Sequence, residues 1–242
     1  MHDIYTFAKE VQIDDVKELL DQMIACNTAI AQEGMHGDYG ANIGKVIAIR
    51  KDLPSLLKAY AAAGSDARMN GCELPVVINS GSGNQGLTVS VPLIIYAERE
   101  HLDKEKLYRA LVISNLTAIH LKTEIGRLSA FCGAVSAGAA CGAGLAYLKD
   151  ASEEVMNHPI VNALAITSGI ICDGAKASCA AKIAVSVEAG ILGYDMYMNG
   201  QQFYGGDGII SKGIENTIHN IGVLGSQGMA STDQEIIKIM CE

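Results

Sequence analysis

Between residues 13 and 34 the apolar side chains Val16, Leu19, Leu20, Met23 and Ile30 recur at helical spacing, which predicts an amphipathic helix ending at Gly34. A glycine-rich turn over 36–44 leads into a second predicted helix near 44–63, closed by Gly64. The polar stretch SDARMNGCELP reads as a turn. Two apolar runs follow, at 74–78 and 87–96. Their Val and Ile content predicts strands, separated by a Ser/Gly/Asn loop at 79–86. Residues 103–125 predict a helix with Asp103 as N-cap and acids in its first turn. An uncharged small-residue helix over Leu128–Leu148 follows almost without a break. Pro159 opens an apolar segment that ends at Gly169, and a further helix is expected over about 175–189. A glycine-rich loop at 199–208 precedes two closing helices around a turn near Gly225–Gly228. No repeat or Pro/Ser-rich linker divides this pattern. The expected architecture is mainly α, one compact helical domain over residues 1–242.

Composition explains how such a core could be filled. The 242 residues include 31 Ala and 26 Gly but three Phe and no Trp, so dispersion energy must come from close backbone approach instead of large rings. A hydrophobic content of 49% excludes disorder, and a net charge of −9 argues against nucleic acid as partner. Leu128–Leu148 is long enough to span a bilayer. Most of its residues are Ala, Gly or Ser, which insert weakly, so a buried helix is expected and no membrane partner. The early acids of MHDIYTFAKEVQIDD lack an apolar signal core. With an odd count of seven cysteines, this places the chain in the reducing cytoplasm.

Chemistry concentrates in three places. Cys172 and Cys179 enclose a turn running into a helix start, where free N–H groups would stabilise anionic sulfur. Such cysteines also serve as small core hydrophobes, and both readings stand on spacing alone. Cys132 sits at the densest run of small residues, while Cys141, nine residues on, faces another side and reads as packing. Cys26 and Cys72 read as ordinary core or loop residues. The loop Asn79-Ser80-Gly81-Ser82-Gly83-Asn84-Gln85-Gly86 carries neutral donors and acceptors on a backbone that can approach a carboxylate closely. Arg68 is one of only five arginines and could clamp a carboxylate with two N–H groups; a solvated surface arginine is the other reading. His120 reads as structural.

INSGSGNQGLTVSVP, GRLSAFCGAVSAGAACGAGLAYL and SGIICDGAKASCAAK together resemble the iron–sulfur L-cysteine desulfidases, and more distantly the iron–sulfur L-serine dehydratase alpha chain. The resemblance runs from about Cys26 to the C-terminus. It implies a helical fold like the serine dehydratase alpha domain and a [4Fe–4S] cluster held by Cys132, Cys172 and Cys179. The implied reaction is β-elimination of L-cysteine to pyruvate, ammonia and hydrogen sulfide. The substrate would be bound by Arg68 with Asn79, Ser80, Ser82, Asn84 and Gln85. The short Cys-x6-Cys spacing resembles the desulfidase branch, with L-serine as the alternative substrate.

One departure changes the expectation. Complete desulfidases carry an N-terminal Leu-Gly-Cys-Thr-Glu-Pro motif whose Cys is thought to act as base, and this chain has no such motif. The resemblance therefore implies the cluster-bearing half of an enzyme, its base supplied by a second subunit or missing region, or a homo-oligomer working differently. A reading of another class is a non-catalytic metal-binding helical subunit. In some relatives on the dehydratase side a C-terminal cysteine covers the open iron, a role that would fall here to Cys241, in competition with a plain exposed tail.

Overall fold

A computed structural model describes residues 1–126 and 128–242. The described residues form helices α1 (His2–Glu10), α2 (Ile13–His36), α3 (Ile43–Ala48), α4 (Leu53–Met69), α5 (Gly83–Arg99), α6 (Lys104–Ile125), α7 (Gly133–Leu148), α8 (Glu153–Thr167), α9 (Cys179–Met198), α10 (Ile214–Val223) and α11 (Ala230–Cys241), with a π-helical turn at Leu224–Gly228. No strand occurs among them; two isolated bridges, Asn79 with Ser82 and Phe131 with Ile171, are the sheet-like pairings. The mainly α expectation holds.

Helix α7 lies at the centre, buried along nearly its whole length, and packs against α5, α6, α8 and α9. Its glycines allow this. A Cβ on Gly138 would lie 2.3 Å from the Ser186 carbonyl oxygen of α9, and one on Gly190 would lie 2.5 Å from the Gly138 carbonyl oxygen. Backbones that touch this closely gain the dispersion energy that large side chains supply elsewhere.

Several expected boundaries are corrected. Gly34 does not end α2, which continues to His36; a Cβ there would lie 1.9 Å from the Ala63 carbonyl oxygen, so this glycine admits α4. The helix expected at 44–63 is two, α3 and α4, and Gly64 and Arg68 both lie inside α4. The strand expected at 87–96 is the body of α5. Its β-branched side chains are buried all round, and tertiary packing overrides their propensity. At 74–78 the chain has no ladder partner; the buried Asn27 amide accepts from Val77 N–H at 2.8 Å and donates to the Val77 carbonyl at 3.2 Å, replacing one.

The uncharged Leu128–Leu148 segment is not one helix. Gly126 has φ 89°, ending α6, and residues 130–132 bridge to 170–172 before α7 begins at Gly133. Among the described residues no helix is long and apolar enough to cross a membrane. Pro159 lies inside α8, which starts at Glu153 behind the Ser152 N-cap.

Candidate functional site

Three helix N-termini meet at one cavity of about 310 Å³. Its wall contains the first turns of α5 (Asn84, Gln85), α7 (Gly133, Ala134) and α9 (Cys179, Lys182), together with Arg68, Ser80, Ser82, Lys122, Cys132 and Cys172. Unsatisfied N–H groups at helix N-termini favour negative charge.

Local hydrogen bonding sets the thiols. Cys132 is the N-cap of α7, and its N–H bonds the Ile170 carbonyl at 3.1 Å while Cys172 N–H bonds the Ala130 carbonyl at 2.6 Å. This two-bond clip holds residues 132 and 172 on neighbouring extended segments. Cys179 opens α9 behind a turn in which Gly174 has φ 92°; the Lys176 N–H approaches its Sγ at 3.5 Å. Neither α7 nor α9 has a side-chain N-cap bond; the Cys179 and Ala180 N–H groups of α9 bond the Lys176 and Ala177 carbonyls, and Val135 N–H of α7 bonds the Cys132 carbonyl. Burial pushes the Cys132 thiol up, and the Ala134 N–H opposes that shift.

The polar loop is built on a tight turn. Asn79 and Ser82 exchange both backbone hydrogen bonds, 3.1 and 2.9 Å, across Ser80 (φ 49°) and Gly81 (φ 81°). Ser82 then caps α5 by accepting from Gln85 N–H at 3.4 Å. Gly86 lets the segment return close, since a Cβ there would lie 2.0 Å from the Val77 carbonyl oxygen. Arg68 lies against Gly83 and donates to Asn84 Oδ1 at 3.3 Å; burial pulls its guanidinium down. Gln85 is 6% exposed, and its Oε1 has no hydrogen-bond partner among the described residues.

Of the residues singled out from sequence, Cys132, Cys172, Cys179, Arg68, Ser80, Ser82, Asn84 and Gln85 line this cavity. Asn79 does not: its amide donates to Asn115 at 2.9 Å, on the far side of the turn. Cys141 is fully buried in α7, its thiol raised strongly by burial. Cys241 is exposed at the end of α11; its neighbour Met240 reaches the Cys172–Cys179 turn, 3.4 Å from where a Gly174 Cβ would be. His120 binds Glu215 at 2.7 Å, a structural pairing.

Two lysines of the wall had not been singled out. Lys182 binds the Asp173 carboxylate and, at 3.0 Å, the Ile171 carbonyl, tying α9 to the turn. Lys122 had a readable signal. It shares the buried stripe of α6 with Ala118, Leu121 and Ile125, and a lysine on an apolar stripe needs a reason.

The donor set selects what the cavity could hold. Thiols suit zinc, copper(I) or iron–sulfur groups. Among the described residues no three His, Cys, Asp or Glu side chains gather closely enough for one metal ion. The three cysteines line the cavity without closing on a point, which fits a group of several irons that takes one thiolate per iron.

Residues 2–238 match the family profile described as serine dehydratase alpha chain. A UPF0597 protein of Desulfitobacterium hafniense is 63% identical over 98% of this chain and 56% of its own length. UPF0597 proteins of Lachnoclostridium phytofermentans and Finegoldia magna are 52% and 50% identical, over 98% and 99% of this chain and 57% and 58% of theirs. The chain thus spans somewhat over half the length of these relatives. No solved structure matches it.

Proposed function

The chain belongs to the serine dehydratase alpha chain family, and from that premise we propose that it is the cluster-bearing part of an iron–sulfur lyase that eliminates the β-substituent of a small L-amino acid. The observation that carries this reading is the meeting of Cys132, Cys172 and Cys179 with Arg68 and the 80–85 turn around one cavity. The three cysteines would hold a [4Fe–4S] cluster, with the positive N-terminal ends of the α7 and α9 dipoles offsetting its negative charge. Bound there, the cluster supplies Lewis acidity toward the substrate's β-thiol or β-hydroxyl, since three thiolates leave one iron without a protein ligand.

The chain's own residues do the positioning. Arg68 binds the α-carboxylate, its geometry fixed by Asn84 and by the tight contact at Gly83. Gln85, buried with a free carbonyl oxygen, accepts from the α-ammonium. Ser80 and Ser82 border the carboxylate end. Phe131 and Ile183 form apolar wall that keeps water from the reacting carbons. The α-proton leaves to a base, the β-bond breaks, and the aminoacrylate released hydrolyses to pyruvate and ammonia. The base belongs to polypeptide beyond this chain, in keeping with relatives that are longer. Cys241 is exposed and does not line the cavity, and the side chain of α11 that meets the Cys172–Cys179 turn is Met240, so the tail-thiol reading draws no support from this contact.

L-Cysteine is the preferred substrate on the Cys-x6-Cys spacing. The profile description favours L-serine as the second reading. Anaerobically loaded protein, supplemented with the region its longer relatives contain, is expected to release pyruvate and sulfide from L-cysteine. Pyruvate from L-serine alone would select the second reading; none from either would refute both.

A further inference from the structure

Among the described residues the cavity wall carries three cationic side chains, and two of them are engaged. Lys182 is held by Asp173 and the Ile171 carbonyl, and Arg68 gives an N–H to Asn84. Lys122 differs. It is 7% exposed, and among the described residues its ammonium makes no hydrogen bond or close ion pair, although the Cys172, Cys132 and Asp233 side chains attract it from further away. No Asp or Glu side chain lines the cavity among the described residues. Lys122 also borders an outer basin of about 880 Å³ with Ser80, Gly81, Ile119, Thr123, Gly126 and Leu128, so it stands where the basin opens into the thiol cavity.

A buried ammonium with no counter-ion in contact costs folding free energy, and an apolar side chain of equal length would avoid that cost. The arrangement makes physical sense if the counter-ion arrives with the ligand. Gln85 repeats the pattern, with a buried acceptor that lacks a partner on the same wall. A second anion anchor at the junction also suits diffusion of a small anion inward from the basin.

We propose that Lys122 is an anion-binding residue of this site, receiving the carboxylate of a small carboxylic acid at the mouth of the thiol cavity and handing it to Arg68. This rests on the reading of the cavity as an amino-acid site and adds a residue that spacing and resemblance did not supply. The competing role is compensation of cluster charge.

Calorimetric titration with pyruvate, as a small carboxylate probe, separates these roles in the wild type, Lys122→Met and Lys122→Arg. Lys122→Met should weaken pyruvate binding by about tenfold or more, and Lys122→Arg should stay within about threefold of wild type. The ligand-free melting temperature of Lys122→Met should be unchanged or higher, because a buried unpaired charge is gone. Its iron content after anaerobic loading should equal that of wild type. Wild-type affinity in Lys122→Met, loss of its iron or its fold, or no pyruvate binding by the wild type would each overturn the proposal. Iron content tests the cluster separately: Lys122-dependent pyruvate binding by a chain that takes up no iron would keep this inference and remove the cluster.

Discussion

Cys132 and Cys141 lie on the same small-residue segment yet occupy opposite environments. One caps α7 with its sulfur toward the cavity; the other is sealed inside the helix packing. Spacing along α7 separated them, whereas the clip that pairs residues 132 and 172 needs a long-range bridge that no local pattern encodes. Lys122 was legible as an exception on an apolar stripe; Asn79 carried the right chemistry, but its amide is taken by Asn115 of α6 and not by the cavity. Asp66, two residues before Arg68, is a further exception. It is buried, accepts from Gly44 N–H at 2.9 Å, and its other oxygen has no partner among the described residues. Burial pushes its carboxyl above the ordinary value. The unfolded chain therefore ionises first, and this residue's contribution to stability falls as pH rises from about 4 through its folded pKa. Asp66→Asn should melt higher than wild type at pH 7, with the difference shrinking toward pH 4. Equal melting temperatures at pH 7 would show that the ionised carboxylate is well accommodated.

At the scale of elements, the site depends on how closely α7 and α9 approach. Their first residues hold Cys132 and Cys179, and their axes meet at Gly138, Gly142 and Gly190. Gly138→Ala puts a methyl group against the Ser186 backbone and should destabilise the protein by about 3 kcal/mol or more, since backbone yields less than a side chain. Measured iron uptake should fall with it, because the two thiols separate; full uptake by a folded variant would show that the cavity does not depend on this contact. Segment 74–78 teaches the complementary lesson. Its strand-like composition is real, but the Asn27 side chain takes the place of a neighbouring strand. Asn27→Ala leaves the Val77 N–H and carbonyl unpaired and should cost about 1–3 kcal/mol in denaturant unfolding. The mainly helical class was readable from periodicity. The nature of 87–96 was not, because its β-branched residues lie in a helix enclosed on every side, where no polar face marks the period.

For the whole molecule, a net charge of −9 contrasts with a cavity wall of Arg68, Lys122 and Lys182 and no acid among the described residues. An acidic exterior repels polyanions, while the cavity favours a small anion. The Gly/Ala-rich composition is accounted for by a central helix in close contact with four others. The chain spans 56% to 58% of the length of these relatives, so the test closest to the central proposal asks only what these residues hold. That test is iron and acid-labile sulfide per chain after anaerobic loading, in the wild type and in Cys132→Ala, Cys172→Ala, Cys179→Ala and Cys141→Ala. The account predicts about four of each for the wild type and Cys141→Ala, and a large loss in the other three. A colourless or zinc-bound wild type, or undiminished iron in those three variants, would contradict it.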